Sequence, residues 1–240
     1  MAVEMERFNL FPTLVCKYKY DETRQFEDIF NQHENKYLLS TDRGVDAGEH
    51  TGFNAVHKEP AFSNLYAFIA RSVNHYMTEL AMDTSKYRII IGKSWLSYVD
   101  NVVDIEPHNH ADHHISFIYY VDDPTGMDYI HFGNTHQPNI NQPFHGAFNP
   151  GPETNVDGRQ PNIKEWNAYN SFDTGFQCEE GDLWVFPGKL SHWTKTKRTP
   201  FDKEKRRAIA GDVLLVYKDP SNRMLFGIYD PSHWTVYDVK

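Results

Sequence analysis

The stretch Pro107-His108-Asn109-His110-Ala111-Asp112-His113-His114-Ile115-Ser116-Phe117-Ile118-Tyr119-Tyr120-Val121 decides how the chain reads. Four of the 13 histidines fall within it and run straight into an apolar, aromatic and β-branched segment. That texture predicts a strand which opens on imidazoles at the rim of a β-barrel and then buries itself. In a regular strand alternate residues share a face, so His108, His110 and Asp112 point one way and His113 the other. Imidazole with imidazole or carboxylate suits a first-row transition metal. Magnesium or calcium would want oxygen ligands, and structural zinc would usually bring cysteines. A histidine tract alone is equally well a solvated strand end, so the rest of the chain must supply partners.

Two later segments supply them. Gly181-Asp182-Leu183-Trp184-Val185-Phe186-Pro187-Gly188 reads as a short buried strand ending in a turn, and His192 follows. A reversal there returns His192 to the same rim. Two histidines with a carboxylate, or three histidines, can occupy one face of an octahedral iron and leave positions open. Arg206 or Arg207 then opens a strand running to Tyr217. Arginine is the residue for bidentate capture of a carboxylate. Lys189, Lys195, Lys197, Arg198, Lys203 and Lys205 crowd the same region as solvated cations, but Ala208 and Ala210 leave room for an arginine to turn inward.

Outward from these segments, Phe8 to Tyr20 reads as an opening strand. Phe26 to Tyr37 and Pro60 to Met82 read as two N-terminal helices, the second with a stripe of Phe62, Leu65, Phe68, Ile69, Tyr76, Met77 and Leu80. Arg88–Ile91 and Ser94–Tyr98 read as strands flanking Gly92, and residues 223–237 as one or two more. Residues 128–177, rich in Asn, Pro, Gly and His, read as a loop-rich insertion that shapes access to a site. The fold class expected is α+β, mostly β, in a single domain spanning 1–240: two helices packed on a sandwich or barrel.

Bulk properties set limits. The 240 residues carry a net charge of −9, which argues against duplex nucleic acid and anionic membrane as partners. No apolar run reaches the roughly 18 residues of a spanning helix, and the N-terminus lacks a signal-peptide core. Two cysteines, Cys16 and Cys178, make no disulfide framework. A cytoplasmic protein is expected, with homo-oligomerisation left open.

His108-x-His110-x5-Ser116-x3-Tyr120, Gly181-Asp182-Leu183-x2-Phe186-Pro187-x2-Leu190-x-His192 and Arg206-x-Ala208, in this order, resemble the 2-oxoglutarate/Fe(II) dioxygenase superfamily. The likeness is closest to an oxygenase group of bacterial and phage origin. It implies a double-stranded β-helix (jelly-roll) core, Fe(II) held by His108, His110 and His192, and 2-oxoglutarate as cosubstrate. Matching the pattern selects Arg206 for the distal carboxylate, with Ser116, Tyr120, Tyr98 and Ala208 around the cosubstrate. The register leaves a choice, because His110-x-Asp112 also satisfies the superfamily's His-x-Asp/Glu and Asp112 can be a ligand or an acceptor for an imidazole N–H. A three-histidine iron carries one more positive charge, which tightens its hold on an anionic cosubstrate. Three departures stand out: Ala208 in place of Ser, Phe117 in place of Gly, and Gly188 in place of Ser. The activity implied consumes O₂, releases succinate and CO₂, and hydroxylates a peptide residue or small molecule. The competing readings are a cupin-like metal- or ligand-binding barrel without redox activity and an interaction protein on a degenerate oxygenase scaffold.

Overall fold

Alternation along three strands sets the layers of the computed structural model, which describes residues 12–20, 26, 55–99, 105–122, 126, 128–133, 173–197, 206–218 and 235–237. In Ile115–Tyr120, Phe117 and Tyr119 join one apolar core while Ile118 and Tyr120 join another. Asp182–Pro187 divides likewise, Leu183 and Val185 from Trp184 and Phe186. Arg206–Tyr217 sends Ile209, Val213 and Leu215 to the first core and Ala208 to the second. A strand with two apolar faces is covered on both sides.

In chain order the strands are β1 (Cys16–Lys19), β2 (Tyr87–Val99), β3 (Ile105–His108), β4 (Ile115–Tyr120), β5 (Asp128–Gly133), β6 (Asp173–Gln177), β7 (Asp182–Pro187), β8 (His192–Thr196), β9 (Arg206–Tyr217) and β10 (Thr235–Tyr237). They form a six-stranded sheet, β1-β7-β4-β9-β2-β10, and a four-stranded sheet, β3-β8-β5-β6. All strand pairs are antiparallel. The first core lies between the larger sheet and helix α1 (Ser63–Glu79). The second lies between the sheets, where Ile130 and Phe132 of β5 meet Tyr120, Trp184 and Phe186. Two facing antiparallel sheets with one helix behind the larger agree with the jelly roll expected.

The helix Pro60–Met82 is observed as a 3₁₀ turn at Pro60–Phe62 leading into α1, with Leu65, Tyr66, Ile69, Val73, Tyr76 and Met77 buried. Leu80 lies past its end and is exposed, so it leaves the predicted stripe. Of the first expected helix only Phe26 is among the described residues; it is buried against Phe62 and Tyr119. The rest of that expected helix lies outside the described residues, and α1 is the helix whose full length is described. The two strands predicted around Gly92 are one strand, β2, with a register shift between Ile91 and Lys93.

Two further corrections bear on the site. The expected strand 107–121 is two strands in different sheets, β3 and β4, joined by a turn in which the His113 amide donates to the His110 carbonyl (3.1 Å). Asn109 and Asp112 are turn formers, and they interrupt the run of histidines. The segment read as a loop-rich insertion begins and ends in sheet strands, β5 and β6, which pair with each other. β6, Asp-Thr-Gly-Phe-Gln, is a mostly exposed edge strand without an apolar alternation to announce it.

Candidate metal and cosubstrate site

β3 and β8 run side by side with His108 opposite His192. His110 follows in the turn, and one nitrogen from each of these three rings lies within 4.8 Å of the others. The group grades from exposed His108 through half-buried His110 to buried His192. Phe186 packs edge-on against His192, and Trp95 lies over His110 with ring centres 5.5 Å apart.

Each of the three rings has its Nδ1 committed to an oxygen. His108 Nδ1 lies 2.8 Å from the Glu106 carbonyl and His192 Nδ1 lies 2.9 Å from the Leu190 carbonyl. A carbonyl only accepts, so these Nδ1 atoms carry the proton and the Nε2 lone pairs remain for a ligand role. His110 Nδ1 lies 2.5 Å from Asp212 Oδ1 on β9, and the same oxygen accepts from Ser116 Oγ at 2.8 Å. Burial, with repulsion from His108, pushes the pKa of His192 down to about 3, which keeps the ring neutral as a metal ligand must be. Three imidazoles that converge with Nδ1 turned to oxygen fit an iron(II) ion.

Asp112 is not in this group; it is exposed on the turn. The acid that meets His110 is Asp212, a hundred residues further on. Its signal was position alone: it shares a β9 face with Arg206 and Ala208, and its strand partner is Ser116.

Arg206 is 1% exposed, which makes it the largest fully buried side chain among the described residues. A guanidinium Nη donates to Thr194 Oγ1 (3.3 Å), another lies 3.8 Å from buried Asp128, and Nε has no hydrogen-bond partner. The guanidinium sits over the Tyr120 ring, 5.8 Å from its centre. Thr194 is two residues past His192, so both side chains leave the same face of β8, about 7 Å apart along the strand. Arg207 points the other way: its Nε donates to Asp122 Oδ2 (2.6 Å), its Nη2 pairs with the same oxygen, and its amide donates to Asp122 Oδ1 (2.9 Å).

The remaining sequence-selected residues are also placed. Ser116 is buried and holds Asp212. Tyr120 and Ala208 are buried strand partners beneath Arg206. Tyr98 lies on β2 opposite Arg207, and its side chain is outside the described residues. Trp193 leaves the other face of β8 and stacks on His131, which in turn bonds Asp173 (2.8 Å). Gly188 has no room for a serine side chain. A Cβ there would lie 2.5 Å from the His113 carbonyl oxygen and 2.9 Å from that of His110. Its own backbone accepts from the His110 amide (2.7 Å) and donates to the His114 carbonyl (3.0 Å), stitching together the turns that follow β3 and β7.

The family model described as "Putative 2OG-Fe(II) oxygenase" matches residues 93–212, a span that begins in β2, takes in all three histidines and Arg206, and ends on Asp212. The chain belongs to this family of 2-oxoglutarate/iron(II) oxygenases. The enzyme is accordingly an Fe(II)- and 2-oxoglutarate-dependent dioxygenase, with O₂ as its oxidant. Among solved structures the oxygenase is similar to the non-heme alpha ketoglutarate dependent carbocyclase SnoK from nogalamycin biosynthesis, at 10% identity over 94% of this chain and 93% of that one (TM-score 0.51). A prolyl-4-hydroxylase of Pseudomonas putida matches at 9% identity over 84% and 92% (TM-score 0.49). HygX of Streptomyces hygroscopicus, with nickel and 2-oxoglutarate bound, matches at 10% identity over 84% and 82% (TM-score 0.48). No curated protein matches the chain in sequence. No helix among the described residues is long and apolar enough to cross a membrane.

Proposed function

We propose that His108, His110 and His192 hold the iron, that Arg206 takes the distal carboxylate of 2-oxoglutarate, and that the reaction hydroxylates a peptide residue or small molecule. The observation that carries the reading is the convergence of three imidazoles within 4.8 Å, each with Nδ1 bonded to an oxygen. Bound there, iron supplies the redox chemistry that couples decarboxylation of 2-oxoglutarate to oxidation of a substrate C–H bond.

What the protein does can be assigned by residue. Arg206 is a desolvated cation with an unused Nε–H, reaching the strand face that bears His192. Thr194, which Arg206 bonds, lies about 7 Å along β8 from His192, a span on the order of a five-carbon diacid, so one end can meet the metal while the other meets the guanidinium. Tyr120 and Ala208 form an apolar floor, and Thr194 offers the hydroxyl that Ala208 lacks. Trp95 and Phe186 shield His110 and His192 from water and keep the local dielectric low. The cupin-like alternative has no use for a buried arginine beside the metal face. A single oxygenase domain in the cytoplasm, where Cys16 and Cys178 stay reduced, completes the proposal.

The test is succinate release from 2-oxoglutarate with Fe(II), ascorbate and O₂. Wild type and Lys195→Ala, an exposed change on β8, are expected to produce succinate, and His192→Ala is not. Succinate formation that survives His192→Ala overturns the reading.

A further inference from the structure

We propose that Asp212 is a positioning residue for the metal centre, holding His110 with Nε2 free and supplying the negative charge that a carboxylate ligand would otherwise bring. The inference rests on the three-histidine reading above. His108 and His192 are oriented locally, each by the neutral carbonyl two residues back. His110 is oriented instead by a carboxylate from another sheet, at 2.5 Å, and a hydrogen bond to an ionised acceptor is roughly twice as strong as one between neutral groups. Asp212 is 2% exposed on a face of β9 that points between the sheets, where packing alone would favour an apolar residue. Its polar contacts among the described residues are His110, Ser116 Oγ and, at 3.6 Å, His113 Nδ1; none is a lysine or arginine. Buried Lys93, the strand partner of Asp212 on β2, turns its ammonium over the Trp95 ring (4.5 Å), and a metal ion on the far side of the His110 imidazole would add to the cationic surroundings of this carboxylate.

The chemistry follows from that arrangement. A carboxylate accepting the Nδ1–H makes the ring a stronger donor through Nε2. Three neutral imidazoles would leave an iron(II) centre at +2. Asp212 offsets part of this charge without taking a coordination position, so the positions needed by cosubstrate and O₂ stay open. Asp112, the acid beside the histidines in sequence, is exposed and cannot do this from the turn.

The test uses Co(II) affinity, measured by chelator competition, and the Fe(II)–2-oxoglutarate charge-transfer band recorded without O₂. Asp212→Asn keeps the size and an acceptor oxygen but removes the charge. It is expected to weaken Co(II) binding about 10–100-fold and to move the band to higher energy, because a poorer donor set makes iron harder to oxidise. Asp212→Glu restores the charge and is expected to recover most of both effects; it carries the test if circular dichroism shows Asp212→Asn unfolded. An Asp212→Asn protein with wild-type affinity and band position, or an Asp212→Glu protein as impaired as Asp212→Asn, overturns the proposal. If His192→Ala meanwhile abolishes Co(II) binding, the three-histidine site stands without it. If His192→Ala binds Co(II) like wild type, the site reading falls and the role of Asp212 falls with it.

Discussion

Phe117 and Gly211 face each other across the β4–β9 pair, and the ring of Phe117 fills the space that a side chain at 211 would need. The same ring meets Tyr66 of α1 edge-on. The bulk of Phe117 is thus answered by a glycine on the neighbouring strand. Gly211→Ala is expected to lower stability by about 1–3 kcal/mol through overpacking. Gly211→Ala/Phe117→Leu should regain part of it. Urea midpoints of the two variants check this, and additive losses would argue against the exchange.

Gly188→Ser is expected to damage the site. Its Cβ would press on the carbonyls of His110 and His113, and the stitched turns would have to part. Metal affinity should fall by about tenfold or more, with a stability loss of about 1–3 kcal/mol. Calorimetric titration with Mn(II) and a thermal melt separate the two effects.

Arg206 and Arg207 are expected to separate function from stability. Arg206→Gln should raise KM for 2-oxoglutarate about 10–100-fold while Mn(II) binding stays close to wild type. Arg207→Gln leaves the cosubstrate alone but strips Asp122 of its guanidinium, at a cost of about 1–3 kcal/mol. Steady-state kinetics beside denaturant unfolding would show the split.

Acid should destabilise the metal-free fold at a mild pH. His192, His113 and His114 all have pKa values held below the ordinary 6.5, each chiefly by burial. The unfolded chain therefore binds more protons than the folded one below that value. The stability these groups contribute is present above pH 6.5 and is lost as pH falls beneath it. Denaturant midpoints at pH 8, 7, 6 and 5 should fall in that order, and His114→Gln should flatten the slope; His114 Nδ1 accepts the Leu215 amide at 3.0 Å and must stay neutral to do so.

Much of the site could be read from local pattern. His108 and His192 are strand-end residues whose spacing to neighbouring turns places them, and Arg206 heads a strand with small partners. The stripe of α1 and the alternation of β4, β7 and β9 carry the layers. What escaped depends on contacts between sheets. Asp212 and Asp112 are the same residue type, and sequence proximity favoured the wrong one as partner to His110. The Arg207–Asp122 pair is invisible for the same reason. The smaller sheet was missed in part because β6 is a polar edge, and because β5 and β6 lie far apart along the chain while adjacent in space.

His110 is tied to the larger sheet through Asp212, whereas His108 and His192 belong to the smaller one. An ion held by all three rings would therefore bridge the two layers of the sandwich like a bolt through two plates. Its binding free energy becomes cohesion between sheets that otherwise meet through the apolar cluster around Phe132 and Trp184. Metal loading should consequently slow amide exchange in β3, β8 and β9 together, while leaving the contact of α1 with the back of the larger sheet as it was.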